Sequence, residues 1–316
     1  MIQARGLVKR FGAFTAVNGV DLNIDRGEVY GFLGPNGAGK TTTIMMLLGI
    51  TRPTEGEVRL FGEPAGPRRT DLRRRVGVVP ERHPRGVWPW MTAEEYLSLF
   101  ADLFEVSRKE QRIAELLERV DLLRFRWKRI REFSRGMLQK LSIVRALLPD
   151  PDLLLLDEPI SGLDPLGIKQ VRDLVLAENR GGRSIFISSH QLSEMEKICH
   201  RVAIIFRGKL LVEDRMKSLL ARLSPQREMH VELDRPDADL PARVRTLPFV
   251  EEAAVRGNTL VVKMSRQGDH RRDLSQHLIS LGLVPLSIEE KIPSLEEAFV
   301  TITQENVLAL AQGGPA

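Results

Sequence analysis

Short apolar runs, each bounded by charged or turn-forming residues, recur through the first two thirds of the chain. These runs show little alternation of apolar and polar positions, so both faces of each run are expected to be buried. They are Val29–Leu33, Val76–Val79, Leu153–Leu156, Ile185–Ser189 and Val202–Phe206. Continuous apolar runs of this length are typical of strands in the interior of a parallel sheet. The pattern therefore predicts an α/β fold.

Other spacings flank this set of runs. Ala4–Val8 and Thr15–Ile24 are predicted to be strands that lead into a larger sheet, and Thr41–Gly49 is predicted to be a helix. Between residues 92 and 148 the apolar spacing becomes that of amphipathic helices. This spacing is seen at Leu97, Phe100, Ala101 and Phe104, and again at Ile113, Leu116, Leu117 and Val120. We predict a helical insertion at about residues 85–148.

Beyond about residue 228 the pattern changes to a period of two, which marks strands with one buried face. Three triplets carry it: Met229, Val231 and Leu233; Leu260, Val262 and Met264; and Val284, Leu286 and Ile288. Arg256-Gly257-Asn258 predicts a hairpin turn, and Ser294–Glu297 has the capping-box spacing that starts a helix. We predict a small α+β domain over residues 228–302, with a split βαβ arrangement, and a tail over residues 303–316.

Composition narrows the class of protein. The 316 residues suggest about two domains, and 42% hydrophobic with 28% charged residues is an ordinary globular balance. The net charge of +5 is slight for this length, so no nucleic-acid partner is expected. A single cysteine and the lack of an apolar stretch long enough to cross a bilayer predict an intracellular protein without disulfides or membrane spans. Arg68, Arg69 and Arg73–Arg75 are interpreted as a solvated basic face.

The segment Gly34-Pro35-Asn36-Gly37-Ala38-Gly39-Lys40-Thr41 has the eight-position pattern of a phosphate-binding P-loop. It follows a predicted strand and opens a predicted helix, which is the context that the pattern requires. Glycines let backbone N–H groups wrap around a polyphosphate, and the helix N-terminus adds partial positive charge. Lys40 supplies a full charge to the β and γ phosphates, and Thr41 offers a hydroxyl to Mg²⁺.

Two adjacent carboxylates, Asp157 and Glu158, end the buried strand Leu153–Leu156. Strand alternation directs their side chains differently. Asp157 is predicted to hold Mg²⁺, directly or through water, and Glu158 to polarise the water that attacks the γ-phosphate. Phosphoryl transfer needs mainly positioning and charge compensation, so such a pair beside a P-loop is sufficient in kind.

Further motifs follow in the order found in ATP-binding subunits of ATP-binding cassette (ABC) transporters. They are Lys9-Arg10-Phe11-Gly12, Phe133-Ser134-Arg135-Gly136-Met137, Ser161-Gly162-Leu163-Asp164 and Ser188-Ser189-His190. With the P-loop and the acidic pair, they make residues 1–215 resemble that family. The resemblance implies a P-loop NTPase cassette with an antiparallel β subdomain and a helical insertion, which binds ATP and Mg²⁺ and hydrolyses ATP.

The resemblance also implies roles for single residues. Phe11 would stack on adenine, Thr42 would join the P-loop in binding phosphates, and His190 would act with Glu158 in hydrolysis. Ser134 and Gly136 would contact the ATP held by a second copy of the chain, with Asp164 in a loop that crosses the interface. The resemblance thus implies a homodimer that closes around two ATP molecules.

Two positions depart from the family pattern. Glu81 stands where the family usually has a glutamine that ligates Mg²⁺, and a carboxylate is at least as good a ligand for a hard metal. The predicted metal site is therefore Thr41, Glu81 and Asp157. Arg135 replaces a glycine in the signature, and the sequence leaves open whether its side chain points toward the nucleotide or away from it.

The resemblance implies a separate transmembrane permease that docks near Glu81 and Val87–Trp90. The chain would then lie at the cytoplasmic face of the cell membrane, peripherally through the permease, and would power export of a drug, lipid or polysaccharide. Two alternatives remain open from sequence. One is a soluble ABC ATPase without a transport role, and the other is an ATP-dependent regulatory module.

Overall fold

The computed structural model describes residues 1–81, 88–223, 226–237, 239–265, 268–291 and 293–311. The chain divides into two compact units. One is Met1–Met216 with the end of the chain from Thr301, and the other is Lys217–Val300. The domain boundary that the sequence predicts at residue 215 lies beside this division.

The first unit alternates strands and helices. Its strands are β1 (Ile2–Phe11), β2 (Phe14–Ile24), β3 (Val29–Leu33), β4 (Glu55–Leu60), β5 (Glu63–Pro64), β6 (Val76–Val79), β7 (Leu153–Asp157), β8 (Ser184–Ser189), β9 (Arg201–Phe206) and β10 (Lys209–Arg215). Its helices are α1 (Lys40–Leu47), α2 (Thr70–Arg74), α3 (Ala93–Leu103), α4 (Lys109–Arg119), α5 (Arg135–Leu147), α6 (Pro165–Arg180) and α7 (Leu192–Ile198). The elements that follow in the chain are α8 (Met216–Leu223), β11 (Arg227–Leu233), α9 (Leu240–Val244), β12 (Val250–Arg256), β13 (Thr259–Met264), α10 (Arg271–Ser280), β14 (Pro285–Lys291) and α11 (Leu295–Ala311).

The continuous apolar runs form the predicted parallel sheet. Its strand order is β10-β9-β3-β8-β7-β6, and all pairs are parallel except β10 with β9. Strands β3, β7 and β8 are buried along their whole length. Because these three strands are adjacent and parallel, the residues that follow Leu33, Asp157 and Ser189 lie at one edge, which is where α/β sheets place their ligands.

A second sheet of order β2-β1-β4-β5 is antiparallel and covers the first. The main core lies between the sheets and around α1, with Leu7 and Val17 from one side and Phe32, Leu155 and Phe186 from the other. This is the antiparallel β subdomain that the resemblance implies. It brings the turn between β1 and β2 toward the P-loop.

Helices α3, α4 and α5 form the helical insertion. Thr92 begins α3 with a capping box, in which Glu95 is the partner, and the apolar faces of α3 and α4 are buried. Ser134 caps α5, so the predicted signature lies at a helix N-terminus. The first turn of α5 therefore lies at the surface, where Ser134 and Arg135 are exposed.

The second unit has a four-stranded antiparallel sheet of order β12-β13-β11-β14. With α9 between β11 and β12 and α10 between β13 and β14, this is a βαββαβ arrangement, as the split βαβ prediction anticipates. The first two alternating triplets are buried, together with Leu274 and Leu278 of α10. Gly257 has a φ of 60° and closes the predicted hairpin between β12 and β13.

The third alternating triplet marks a strand as predicted, β14, but its residues do not share one buried face. Val284 precedes β14 and is exposed, as is Leu286, while Ile288 packs on the core. The cause is a register shift between Glu232 and Leu233, which leaves Leu286 without a partner on β11. The last helix, α11, also runs past residue 302, because the chain has no Gly or Pro between Pro293 and Gly313 to end it. Residues 312–316 of the predicted tail lie outside the described residues.

Candidate nucleotide site

The P-loop joins the end of β3 to the start of α1. Gly34 passes so close to β9 that a Cβ there would collide with the carbonyl oxygen of Ile205. Gly39 has a φ of 107°, and a Cβ there would lie 2.6 Å from the carbonyl oxygen of Ala16. Glycine is therefore required at both fixed positions, by close approach at the first and by backbone conformation at the second.

A cavity of about 430 Å³ lies at this loop. Its lining is Phe14, Ala16, Asn36, Gly37, Gly39, Lys40, Thr41, Thr42, Glu81 and Glu158. The structure thus brings most of the predicted P-loop residues together with two predicted metal ligands, Thr41 and Glu81, and the predicted catalytic acid Glu158. Gly34, Pro35 and Ala38 shape the loop from behind, since the carbonyl oxygens of Gly34 and Pro35 accept hydrogen bonds from the Lys40 ammonium.

Lys40, Glu158 and His190 form a chain of charged and polar contacts at the cavity. Lys40 Nζ lies 3.0 Å from Glu158 Oε1, and both side chains are only 6% exposed. The other oxygen, Oε2, lies 2.8 Å from His190 Nδ1. A buried carboxylate is costly unless it is paired, and Glu158 has a cation on one oxygen and an imidazole on the other. The sequence placed these three residues in one site, and the geometry brings them into contact.

Glu158 also has an unusual backbone. Its φ is 50°, a region that non-glycine residues seldom occupy. Two contacts from β8 hold it there, since Glu158 N donates to the carbonyl oxygen and to the hydroxyl of Ser188, at 3.2 and 3.0 Å. Strained backbone of this kind persists where the surroundings fix it, often at functional sites.

Asp157 faces the P-loop from the end of β7. Thr41 Oγ1 donates to its Oδ2 at 2.9 Å, and the Ser188 hydroxyl donates to its Oδ1 at 2.5 Å. Ser188 was not among the site residues predicted from the sequence. Parallel pairing of the two predicted strands sets it beside Asp157, so the order of the strands could have indicated it.

The predicted metal ligands fit a hard cation. Thr41 and Asp157 contribute oxygen atoms in direct contact, and Glu81 lines the same cavity as Thr41. Oxygen donors of this kind suit Mg²⁺, which keeps several waters and needs only one or two carboxylates with substrate phosphates. The described residues contain no cluster of three or more His, Cys, Asp or Glu side chains placed to hold a metal by themselves.

The aromatic residue at the cavity is Phe14. The predicted adenine-stacking residue, Phe11, is 54% exposed and pairs with Phe14 across the β1–β2 turn, but it does not line the cavity. Lys9 Nζ instead lies 5.1 Å from the centre of the Phe11 ring. Phe14, 65% exposed, was missed because motif order points to Phe11 and says nothing about the turn that brings its partner forward.

Ser134 and Gly136 do not line the cavity of their own chain. The Ser134 hydroxyl accepts from Met137 N at 3.2 Å and so caps α5, and the space beside the Gly136 Cα is open. The Arg135 guanidinium lies where a side chain on Gly162 would be. Arg135 therefore extends toward the Ser161–Asp164 loop.

Asp164 has a structural contact of its own. Its Oδ1 accepts from Gly167 N at 2.7 Å, which makes it the N-cap of α6. An N-cap aspartate contributes about 1 kcal/mol to helix stability. The predicted nucleotide role of Asp164 stays a prediction beside this capping role.

Known proteins are similar to this chain in sequence and in fold. A family model for ABC transporters matches residues 17–161. The bacitracin transport ATP-binding protein BcrA of Bacillus licheniformis is 37% identical over 96% of this chain and 97% of its own. The Nod factor export ATP-binding protein I of Burkholderia thailandensis is 38% identical over 80% of this chain and 82% of its own.

An uncharacterized ABC transporter ATP-binding protein of Nostoc sp., all4389, is 44% identical over 65% of this chain, which spans 61% of that protein's length. Among solved structures, an ATP binding subunit of an ABC transporter superposes with a TM-score of 0.64 at 30% identity, over 70% of this chain and 92% of that one. The P-loop site lies within residues 17–161, which the family model matches. The chain belongs to the ABC transporter family as one of its ATP-binding proteins, and its first unit is an ABC-type ATPase cassette.

Proposed function

We propose that this chain binds and hydrolyses ATP between two copies of itself and thereby powers a separate membrane permease. One observation carries the hydrolytic part: Glu158 is held between Lys40 and His190 at the P-loop cavity. A polyphosphate entering the cavity supplies Lys40 with a new anionic partner. Glu158 is then free to accept a proton from a water molecule that it shares with His190.

Each residue of the site has a task in this proposal. The backbone N–H groups from Asn36 to Gly39 cradle the phosphates, and Lys40 compensates their charge. Thr41, Asp157 and Glu81 would hold Mg²⁺, which when bound neutralises charge on the phosphate oxygens. Phe14, and Phe11 as the sequence predicts, would offer an aromatic surface to adenine.

The dimer completes the site. Ser134 caps α5 and Gly136 lies in its first turn, and both lie outside the cavity of their own chain. A helix N-terminus attracts phosphate, so a second copy of the chain can cover the γ-phosphate with this turn. Two-fold symmetry then gives two equal ATP sites, because each chain supplies one P-loop and one signature.

The permease is proposed from the relatives and from one surface. BcrA is a bacitracin transport protein and the Burkholderia relative a Nod factor export protein, which supports export of a drug, lipid or polysaccharide. No helix in the described part of the chain is long and apolar enough to span a bilayer. We place the docking surface near Glu81 and Trp88–Trp90, at the cytoplasmic face of the membrane; Val87 of the predicted surface lies outside the described residues.

The Glu158→Gln variant tests the hydrolytic proposal. Losing the general base should lower turnover about 10²- to 10⁴-fold. ATP binding should persist, because the amide keeps the shape of the side chain, and ATP should shift the variant to a dimer in size-exclusion chromatography. Normal turnover by this variant would refute the role of Glu158. Recovery of a permease with the tagged wild-type chain from native membranes tests transport, and its failure alongside intact ATPase activity would favour a soluble ATPase.

A further inference from the structure

The segment just before the signature is strongly basic and aromatic. Five of its eight residues are cationic and none is acidic: Arg124, Phe125, Arg126, Trp127, Lys128, Arg129, Ile130 and Arg131. The ATP site uses none of them. A partner for this stretch must bind both its cationic side chains and its exposed indole ring.

Backbone contacts attach this segment, which overlaps two short 3₁₀ helices, to residues 89–94. Thr92 and Arg129 form an antiparallel bridge, and Ile130 N donates to Met91 O at 2.9 Å. In addition, Arg131 N donates to Pro89 O at 3.1 Å. These hydrogen bonds bring the backbone at Trp90 beside the basic segment.

The segment has both exposed and buried side chains. Trp127, Arg129 and Arg131 are exposed, whereas Ile130 is buried. Trp127 is 66% exposed and Trp90 is 63% exposed. We call the exposed residues Trp90, Trp127, Arg129 and Arg131 the Trp–Arg face.

The cations of the basic segment are only partly balanced by acids. Arg126 is half-buried, pairs with Glu94 at 2.9 Å, and has its guanidinium carbon 4.8 Å from the centre of the Trp127 ring. Arg131 meets Glu132 at 4.0 Å, the limit of an ion pair, and Arg129 acts on Glu95 only through space, where it helps to lower the pKa of that carboxyl after the stronger hydrogen bonds from Thr92. The face therefore keeps positive charge available to a partner.

The other arginine cluster, at residues 69–75, shows the contrast. Arg69 pairs with Asp71 at 2.8 Å, Arg74 with Glu105 at 2.7 Å, and Arg75 with Asp152 at 2.7 Å. These exposed pairs fit the solvated basic face predicted from sequence. Each stretch has five cations in eight residues, but residues 68–75 include Asp71 and no aromatic residue, and three of their arginines are paired with acids.

We propose that the Trp–Arg face binds the anionic headgroups of a phospholipid bilayer and rests on its surface. Guanidinium groups bind phosphate bidentately, and tryptophan favours the headgroup layer, where its ring is buried and its N–H stays solvated. An acidic protein segment would satisfy the arginines but leave the two indoles in water. A bilayer surface satisfies both kinds of side chain at once, and it requires no groove.

The proposal is linked to the proposed function only in placing the chain beside a membrane. Contact with headgroups would orient the cassette before the permease docks, because Trp90 belongs to both proposed surfaces. The lipid contact itself needs neither permease nor ATP, so it can be measured on the full chain alone.

The experiment is co-sedimentation of the full chain with vesicles of phosphatidylcholine, with and without phosphatidylglycerol. The wild type should bind the anionic vesicles and lose binding as salt is raised. Each arginine near an anionic surface contributes about fivefold, so Arg129→Gln with Arg131→Gln should lower the partition coefficient roughly 25-fold. Trp127→Ala should lower it about tenfold, with little effect of salt on the ratio to wild type.

The matched control is Arg69→Gln with Arg74→Gln, which removes the same charge from paired cations and should leave binding within about twofold of wild type. Equal losses in both double variants would overturn the proposal, because net charge alone would explain them. Equal binding of the wild type to vesicles with and without phosphatidylglycerol would also overturn the proposal. Binding to a DNA duplex but not to vesicles would overturn it as well. ATPase activity and thermal melting of Arg129→Gln with Arg131→Gln should match wild type, which separates a failed lipid contact from a failed ATP site.

Discussion

Two helix N-termini of this cassette are candidates for phosphate binding, and they are built differently. At the start of α1, Lys40 is buried against Glu158 and the loop lines a cavity. At the start of α5, Ser134 caps the helix and Gly136 has open space beside it. The first has its cation and its acid at the cavity within one chain, whereas at the second the cation of the first turn, Arg135, extends toward the Ser161–Asp164 loop. The difference suggests that α1 determines affinity in one chain and that α5 acts when a second chain brings a phosphate to it.

The largest expected effect comes from removing the cation of the first site. Lys40→Met keeps the aliphatic stem and should weaken ATP binding about 100-fold, because a charge-assisted contact to phosphate contributes up to about 3 kcal/mol. Isothermal titration calorimetry measures it. The matched control is Lys109→Met, which removes a half-buried lysine paired with Asp102, away from the cavity, and should bind ATP as wild type does. Equal ATP affinity of the wild type, Lys40→Met and Lys109→Met would refute the role of Lys40 in ATP binding.

The second site can be broken without touching the first. Gly136→Asp places a negative charge at the start of α5, in open space where a side chain fits. It should abolish hydrolysis yet keep ATP affinity in the monomer, because the residue lies outside the cavity.

Mixing two inactive variants then tests whether the sites act between chains. A heterodimer of Gly136→Asp and Lys40→Met has one site with an intact P-loop from one chain and an intact signature from the other. An equal mixture should therefore recover about a quarter of wild-type activity. If mass spectrometry detects heterodimers but the mixture has no ATPase activity, the P-loop and the signature do not act between chains.

The sequence predicts the P-loop, the acidic pair and the parallel sheet because each depends on local residue order. Gly34, Lys40 and Asp157 lie where a strand–loop–helix pattern and a buried strand must place them. What it missed depends on pairing between distant segments. Phe14 reaches the cavity through the β1–β2 turn, and Leu286 turns outward through a register shift on β11. Neither the turn geometry nor the shift is encoded in the apolar pattern.

A smaller effect should distinguish the two phenylalanines at that turn. Phe14→Ala should weaken ATP binding about tenfold, since stacking of a base on an aromatic ring contributes roughly 1–3 kcal/mol. Phe11→Ala should change it less than twofold if Phe14 alone forms the surface. Titration with ATP and with inorganic triphosphate, which lacks the base, separates stacking from phosphate contacts. A tenfold loss in Phe11→Ala instead would support the role that the family resemblance implies for Phe11.

The smallest effect is expected at Arg135, which links the second site to the Ser161–Asp164 loop by lying over Gly162. Arg135→Ala frees that loop beside the signature and should raise the protein concentration needed for ATP-dependent dimerisation about threefold to fivefold, which corresponds to about 1 kcal/mol. ATP affinity of the monomer should not change, because the residue lies outside the cavity. Arg135→Lys keeps the charge but not the planar group, so rescue by lysine would indicate a role for charge alone. Dimerisation of Arg135→Ala at wild-type concentrations would mean that Arg135 only packs on the loop, and the second site would then depend on Ser134 and Gly136 without its help.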